Sequence, residues 1–411
     1  MRSRRNPVRH RRGVSGAGPP TRYTARANGI TQRRRRPGGR GSRRRAHCRL
    51  RARVAVRVVV VGAGIAGLAA AWELTRTGGV DVTLLESERR AGGVIVTEHV
   101  EGFVVEGGPD GFLASEPELP ELANELGIGD HLVGQGARGT ALWTGKALEP
   151  IEEGRAAQLL GIDASSAEVK AGFRSFANGM GEPVAALAER LAGTLRLAQG
   201  VAGLVRRGSR WHAAITGGSA HDADGIVLAL PAYATGRLLE SVGVTHARVL
   251  AEVVYVPSIT VSLAYRTDQI GGPLTGAGFV VDRNIVGAQH ATLRACTYAS
   301  QKFPGRAPDG HVLLRAYLPA IDDGPANVAH AELAAILGIR GEPLWSRVFY
   351  WNRGLPRYRA RHAEHVAAVR ARLRRLPPLA IAGAGYDGAG VSACVRSGRE
   401  AARLIAQAMA R

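Results

Sequence analysis

The sequence predicts an α/β protein: a doubly wound parallel sheet assembled from separated segments, with a β-rich α+β domain inserted between them. Three observations carry this. RVVVV at 57–61 is a continuous β-branched run, which suits a strand buried on both faces of a parallel sheet. A glycine turn and an Ala-rich helix at 65–76 follow it, and DVTLLE at 81–86 supplies the next strand, so that 57–86 reads as one βαβ unit. At the far end LAIAG, 379–383, repeats the order strand, glycine turn, helix, the helix running to about Met409, whereas 253–318 reads mostly as strands.

The remaining elements follow from local signals. Ser115-Glu116-Pro117-Glu118 has the cap, early acids and early proline of a helix start, predicting a helix to about Leu126. Residues 139–150 read as a hairpin turning at Thr144-Gly145, and 204–207 with 211–215 as another around Gly208-Ser209. Helices are expected at 180–192, 326–337 and 362–375, and a buried strand at 226–230, ended by Pro231. The resulting organisation is a tail (1–53), three parts of a cofactor-binding domain (54–135, 176–232, 376–411), a short segment (136–175) and a substrate domain (233–375).

The formal net charge of +21 points to nucleic acid or an anionic surface only until it is located. Residues 1–53 hold 19 Arg and no acid; removing them leaves 36 basic against 34 acidic residues, so the body is nearly neutral. The tail cannot bury a core. Three readings of it stand: a start codon assigned too early in a GC-rich genome, which 52 Arg against 3 Lys fits; a disordered arm touching nucleic acid or lipid; or an organelle transit peptide. No apolar run reaches the roughly 18 residues of a membrane span. Cys48, Cys296 and Cys394 are too scattered for a disulfide framework or a metal cage, and the histidines form no ligand cluster, so no metal site is expected and a reducing cytoplasm is the default.

Gly62-Ala63-Gly64-Ile65-Ala66-Gly67 follows a strand and opens a helix, and Glu86 ends the next strand. In this Rossmann-type context each glycine has its own role. Gly62 permits the tight turn, Gly64 lets backbone approach a diphosphate, and Gly67 allows close helix–strand packing. The helix N-terminus offers free N–H groups to the anion. Glu86, with Ser87 beside it, suits ribose hydroxyls and disfavours a 2′-phosphate.

Further blocks carry a family resemblance. Arg90-Ala91-Gly92-Gly93-Val94 resembles the R-x-G-G of monoamine oxidase-like flavoproteins, which implies FAD, with Arg90, Gly92, Gly93 and Val94 lining the flavin side of the diphosphate. EGGPDGFLASEPELPELANELGIGDHLV (106–133) resembles a segment of bacterial protoporphyrinogen and coproporphyrinogen oxidases, with Gly111 in place of the usual Ser. It implies that Gly107, Gly108, Pro109 and Asp110 bring backbone against the isoalloxazine. Trp143-Thr144-Gly145-Lys146 and Pro150, NGMGEPVAALAERL (178–191), CTYASQKFPGRAPDGHVLLRAY (296–317) and WNRGLPRYRARH (351–362) continue the resemblance, and Val201 falls where relatives meet the adenine. GAGYDGAGVSACVRSGREAA (383–402) is similar to the family's closing flavin motif, implying that Gly390, Val391 and Ser392 face the flavin's pyrimidine edge, where a helix dipole stabilises negative charge.

The resemblance implies oxygen-dependent oxidation of a porphyrinogen in haem synthesis: a hydride leaves a methylene bridge, oxygen reoxidises the flavin to give hydrogen peroxide, and three such rounds yield the porphyrin. It points to coproporphyrinogen for a GC-rich bacterium and names no general base. Two departures weigh against activity. Only 22 residues, 151–172, stand where relatives carry a helical subdomain, and Ala114, Ser115 and Glu116 follow Leu113 where relatives often have basic residues for substrate propionates. The alternatives are another flavin amine oxidase or desaturase, or an inactive FAD-binding relic. Nucleic acid is expected at most through the tail, and no stable membrane association is expected.

Overall fold

The computed structural model describes residues 55–152, 154–160, 165–282, 284 and 291–410. The expectations for the tail at 1–53 and for Cys48 lie outside the described residues.

A five-stranded parallel sheet, ordered Leu195–Arg196, Val80–Leu85, Val56–Val61, Gly225–Leu228, Leu379–Ile381, joins segments far apart in the chain. The valine run explains its position. Alternate side chains of a strand face opposite ways. Val58 and Val60 join a core with Leu68, Leu74 and the closing helix, while Val59 and Val61 join a second core with Trp211, Ile215 and Leu239. The strand therefore needs apolar residues at every position. On the first face the helices Ile65–Thr75 and Val391–Met409 pack together. A Cβ on Gly398 would stand 2.1 Å from the carbonyl oxygen of Ala66, so this glycine sets how closely they approach. The second face is covered by the antiparallel strands Val201–Arg207, Arg210–Ile215 and Ala220–Ala223, which include the hairpin expected around Gly208.

The inserted part is built on a seven-stranded sheet ordered Trp345–Arg357, Val254–Arg266, His311–Leu318, Ala295–Tyr298, Gly278–Val281, Thr140–Trp143, Leu148–Ile151. Only the contact between Gly278–Val281 and Thr140–Trp143 is parallel. The helix Pro325–Leu337 closes one core on this sheet through Ala329 and Leu333. The fold class is the one the sequence predicts, and the hairpin turning at Thr144-Gly145 forms as expected.

One local expectation is corrected. The helix expected from Ser115 spans Glu118–Glu125, with Pro117 at its N-cap and no side-chain cap. The preceding residues are held otherwise: Phe112–Leu113 pairs with the Phe173 strand, and the Glu116 N–H donates to Leu113 O at 3.1 Å. The short middle segment holds two six-residue helices, Arg155–Leu160 and Ser166–Ala171. The second opens on a capping box: the Glu168 N–H donates to Ser165 Oγ at 3.2 Å, and the Ser165 N–H to Glu168 Oε2 at 2.8 Å.

Gly398→Ala tests the helix contact. Helix propensity alone favours alanine by about 1 kcal/mol. Because the new methyl meets Ala66 backbone, we expect a net loss of roughly 1–3 kcal/mol in urea unfolding; unchanged or higher stability would show that the helices do not touch there.

Candidate functional site

The glycine turn lies at the carboxyl end of the parallel sheet, where open α/β sheets bind ligands. Gly62 has φ +98°, and its N–H donates to Leu85 O at 2.7 Å. A Cβ on Gly67 would stand 1.8 Å from Gly62 O, whereas one on Gly64 would meet nothing within 4 Å. Gly67 is thus required by packing, and the space before Gly64 is open to a ligand. Ala63, Ile65 and Ala66 are buried around the turn. The Ala63 N–H donates to Glu86 Oε2 at 2.7 Å, and Glu86 Oε1 accepts from the Glu88 N–H at 2.9 Å and Ser87 Oγ at 3.1 Å. The carboxylate is therefore fixed in place, with lone pairs left over. Beside it opens a cleft of about 290 Å³ lined by Glu86, Ser87, Gln199, Val201, Arg237 and Leu238.

The second glycine turn docks on the first. The Gly92 N–H donates to Ala63 O at 2.8 Å, and Gly64 and Gly92 form a parallel bridge. Gly92 and Gly93 have φ +103° and +59°. Arg90 is turned onto this loop: its guanidinium donates to Gly93 O at 2.6 Å, Ala91 O at 3.2 Å and Ile95 O at 3.3 Å. Its place is thus to shape the glycine turn, and Val94 beside it is exposed.

Gly107 and Gly108 lie against that loop, a Cβ on Gly108 falling 1.7 Å from Val94 O. The Gly107 carbonyl accepts from three side chains: Thr260 Oγ1 at 2.9 Å, Trp351 Nε1 at 2.9 Å and Arg315 Nη2 at 3.0 Å. Arg315 also donates to Gly108 O. Beyond Pro109, Asp110 pairs with Lys302, whose Nζ is 3.0 Å from both carboxylate oxygens. Burial alone would raise the Asp110 pKa, but Lys302 and Arg315 hold it below the usual carboxylate range. Glu106 goes the other way: burial raises it against the pull of Arg306, while Thr97 Oγ1 and the Met180 N–H, both at 2.7 Å, satisfy its oxygens.

The third part is the N-terminus of the helix Val391–Met409. Gly390 is its extended N-cap, no side chain caps it, and Val391 and Ser392 begin it, both buried. The Glu116 carboxylate lies here, its oxygens 3.5 and 3.8 Å from where a Cβ on Gly390 would stand. Its pKa is raised by burial and then by Glu118, against the Ser392 hydroxyl and Arg396. The turn before this helix is braced by Asp387, which pairs with Arg370 Nη1 at 2.7 Å and accepts from Ser397 Oγ at 3.0 Å; Ser397 Oγ in turn accepts from the Gly383 N–H at 3.1 Å.

The structure thus brings 62–67, 86–94 and 107–108 together, with Val201 in the adjoining cleft. Gln199, Arg237, Thr260, Arg315 and Trp351 are additions that sequence reasoning missed, since none stands in a glycine motif. No cluster of metal-ligating residues occurs among the described residues, and no described helix is long and apolar enough to cross a membrane.

The family profile of flavin containing amine oxidoreductases matches residues 65–176 and 151–406. The chain belongs to this family. Coproporphyrinogen III oxidase of Bacillus subtilis is 24% identical, covering 84% of this chain and 96% of the relative. That of Propionibacterium freudenreichii is 25% identical, covering 88% and 92%. The crystal structure of a candidate protoporphyrinogen oxidase from Exiguobacterium superposes with a TM-score of 0.74 at 24% identity, covering 87% of this chain and 99% of that one. Cyclohexylamine oxidase of Brevibacterium oxydans gives 0.67 at 15% identity, covering 87% and 100%. The Bacillus subtilis alignment runs over 461 positions, more than the 411 residues of this chain. Residues of the relative therefore stand opposite gaps, and the profile match divides at 151–176, where the sequence shows the shortened segment.

The residues at the three glycine segments fit a flavin, whose open approach at Gly64 and uncapped helix N-terminus at Gly390 suit a phosphate and a polar ring edge respectively.

The Asp387 brace predicts a pH dependence. Burial raises the Asp387 pKa, but Arg370 and Ser397 more than offset it, leaving it below the usual carboxylate range. A depressed carboxylate adds stability that is present above the unfolded-state value and lost as pH falls through the folded one. Arg370→Gln should cost roughly 1–3 kcal/mol at neutral pH, and its difference from the unaltered chain should shrink below about pH 4. A difference that stays constant down to pH 3 would remove the ion pair as its cause.

Proposed function

We propose that this chain is an FAD-dependent, oxygen-using oxidase of a porphyrinogen, either coproporphyrinogen III or protoporphyrinogen IX. The observation that carries the reading is that relatives named coproporphyrinogen III oxidase align over 96% and 92% of their own length. The glycine geometry supports FAD as the flavin. Gly62, Ala63, Gly64, Ile65, Ala66 and Gly67 would take the diphosphate at the helix N-terminus, Gly64 offering the clear approach. Glu86 and Ser87 would accept the ribose hydroxyls, with Val201 and the cleft at Gln199 and Arg237 holding the adenine side.

Arg90 would act through the loop it shapes, keeping Gly92, Gly93 and Val94 at the flavin side of the diphosphate. Gly107, Gly108, Pro109 and Asp110 would flank the ring. Their carbonyls at 107 and 108 are already taken by Arg315, so this segment offers contact surface. Gly390, Val391 and Ser392 would meet the pyrimidine edge with uncapped N–H groups. Bound there, FAD supplies the two-electron acceptor, and oxygen carries those electrons away as hydrogen peroxide. The work left to the protein is positioning. A second reading, a flavin-binding relic without turnover, is favoured by one observation: the described residues of 151–172 hold two six-residue helices, where the sequence resemblance implies a larger helical subdomain.

Two experiments decide. The purified chain should carry a flavin spectrum that bleaches with coproporphyrinogen, and porphyrin fluorescence should grow in air; flavin without bleaching would establish the relic. Gly64→Val should lose the flavin while circular dichroism and melting temperature persist, since the added methyls enter open space. Full flavin occupancy in that variant would overturn the assignment of the diphosphate to this turn.

A further inference from the structure

The strand Trp345–Arg357 is interrupted where it pairs with Val254–Arg266. Val256 faces Leu355 and Ser258 faces Trp351, so that Asn352, Arg353 and Gly354 together oppose Pro257 alone. Proline has no N–H to donate and favours such a bulge. A Cβ on Gly354 would come within 3.2 Å of both Ser258 Oγ and Val256 O, so the chain returns to the sheet under tight constraint. Bulges re-aim side chains. Here Arg353 is lifted out of the sheet and laid over the Tyr233 ring, its guanidinium carbon 4.1 Å from the centroid.

The bulge is tied at both ends to the segments that flank the flavin in the proposed reading. Before it, Trp351 Nε1 donates to Gly107 O at 2.9 Å. After it, the Tyr358 hydroxyl donates to Ala384 O at 2.5 Å. Tyr233 stands edge-on to Tyr255 at 5.4 Å, and the Tyr255 hydroxyl lies 2.9 Å from where a Cβ on Gly385 would be. An aromatic wall thus runs from the Gly385 turn to an exposed arginine that makes no ion pair with a described carboxylate.

The candidate site also holds a charge of the opposite sign. Ala114, Ser115 and Glu116 follow Leu113, and Glu116 lies at the Gly390 helix start. A polycarboxylate bound here would be repelled by the one group and attracted by the stacked guanidinium.

We propose that Arg353, carried on its bulge and backed by Tyr233, is a specificity-determining residue that receives a peripheral carboxylate of a macrocyclic substrate and orients that edge away from Glu116. This rests on the porphyrinogen reading for the identity of the substrate, but not for the class of group bound. Guanidinium is the fitting donor because its planar fork can hold a carboxylate in plane while its face stays on the tyrosine.

The test is titration of the flavin-loaded protein with coproporphyrin III, a porphyrin tetracarboxylate, followed by fluorescence quenching over a salt series. Arg353→Gln should weaken binding roughly five- to tenfold, flatten the salt dependence and leave the melting temperature unchanged. Arg353→Lys, which keeps the charge but loses the fork, should recover part of the affinity. Arg361→Gln, on the same segment but paired with Glu364 at 2.8 Å, should bind as the unaltered chain does. With coproporphyrinogen as substrate, Arg353→Gln should raise KM and spare kcat. Oxidation by the unaltered chain with equal KM and equal porphyrin affinity in Arg353→Gln would overturn the inference alone. Arg353-dependent binding without any oxidation would uphold it and overturn the oxidase reading, and no porphyrin binding at all would overturn both.

Discussion

The carbonyl of Gly107 gathers three side chains of the inserted sheet onto the cofactor-side segment. Thr260, Arg315 and Trp351 come from three neighbouring strands of the seven-stranded sheet and converge on it from one sheet face. Their order across the sheet makes this possible: Thr260 stands on the central strand of the three, with Arg315 and Trp351 each displaced by two positions in register from its partners, on the same side of the pleat. A carbonyl has room for several donors, and a buried guanidinium needs acceptors that do not require a second charge. The result holds the segment 107–108 flat against Val94. The docking thus adds the 107–108 segment to a pair of glycine turns that the parallel sheet already holds.

Glycine serves two distinct ends in that assembly. At Gly67 and Gly108 the missing Cβ is a packing requirement, since an added carbon would fall within 2 Å of a backbone oxygen. At Gly64 the surroundings impose nothing, and the absence of a side chain keeps a path clear. The motif in its strand–turn–helix context already separates these roles at Gly64 and Gly67. It shows that glycines recur after a strand and before a helix, which is why the turn, its helix and Glu86 were legible from residues. Local sterics and a period-two valine pattern act within a few residues, so they leave a mark in the sequence.

What was not legible acts over long separations. Nothing around Thr260, Arg315 or Trp351 marks them as donors to a glycine more than 150 residues away. Arg237 and Gln199 reach the cleft only because the sheet places the ends of Gly225–Leu228 and Val201–Arg207 beside Glu86. Ser115 carries a helix-start signature, yet pairing of Phe112–Leu113 with the strand at Phe173 moves the start to Glu118: a tertiary contact outweighs a local signal. The bulge at Arg353 is hidden for the same reason, since Pro257 matters only once the two strands are in register.

The described residues of the shortened middle are tied to the structure around them. Gly154, at φ +91°, lies so close to Ser166 that an added Cβ would stand 2.5 Å from its hydroxyl, which brings the two short helices together. Arg357 donates to Leu160 O at 3.0 Å and Arg138 to Lys170 O at 3.1 Å, satisfying carbonyls near both helix ends. The Ala114 N–H donates to Gly172 O at 2.9 Å, returning the chain to the strand that follows. Each of these hydrogen bonds is donated by a residue outside the segment, so the surrounding structure is fitted to the short connection. The candidate cofactor residues all lie elsewhere and lose nothing by the shortening. In the proposed reading the consequences of the short connection fall on the substrate side, where the side chains at the bulge and at Glu116 differ in charge.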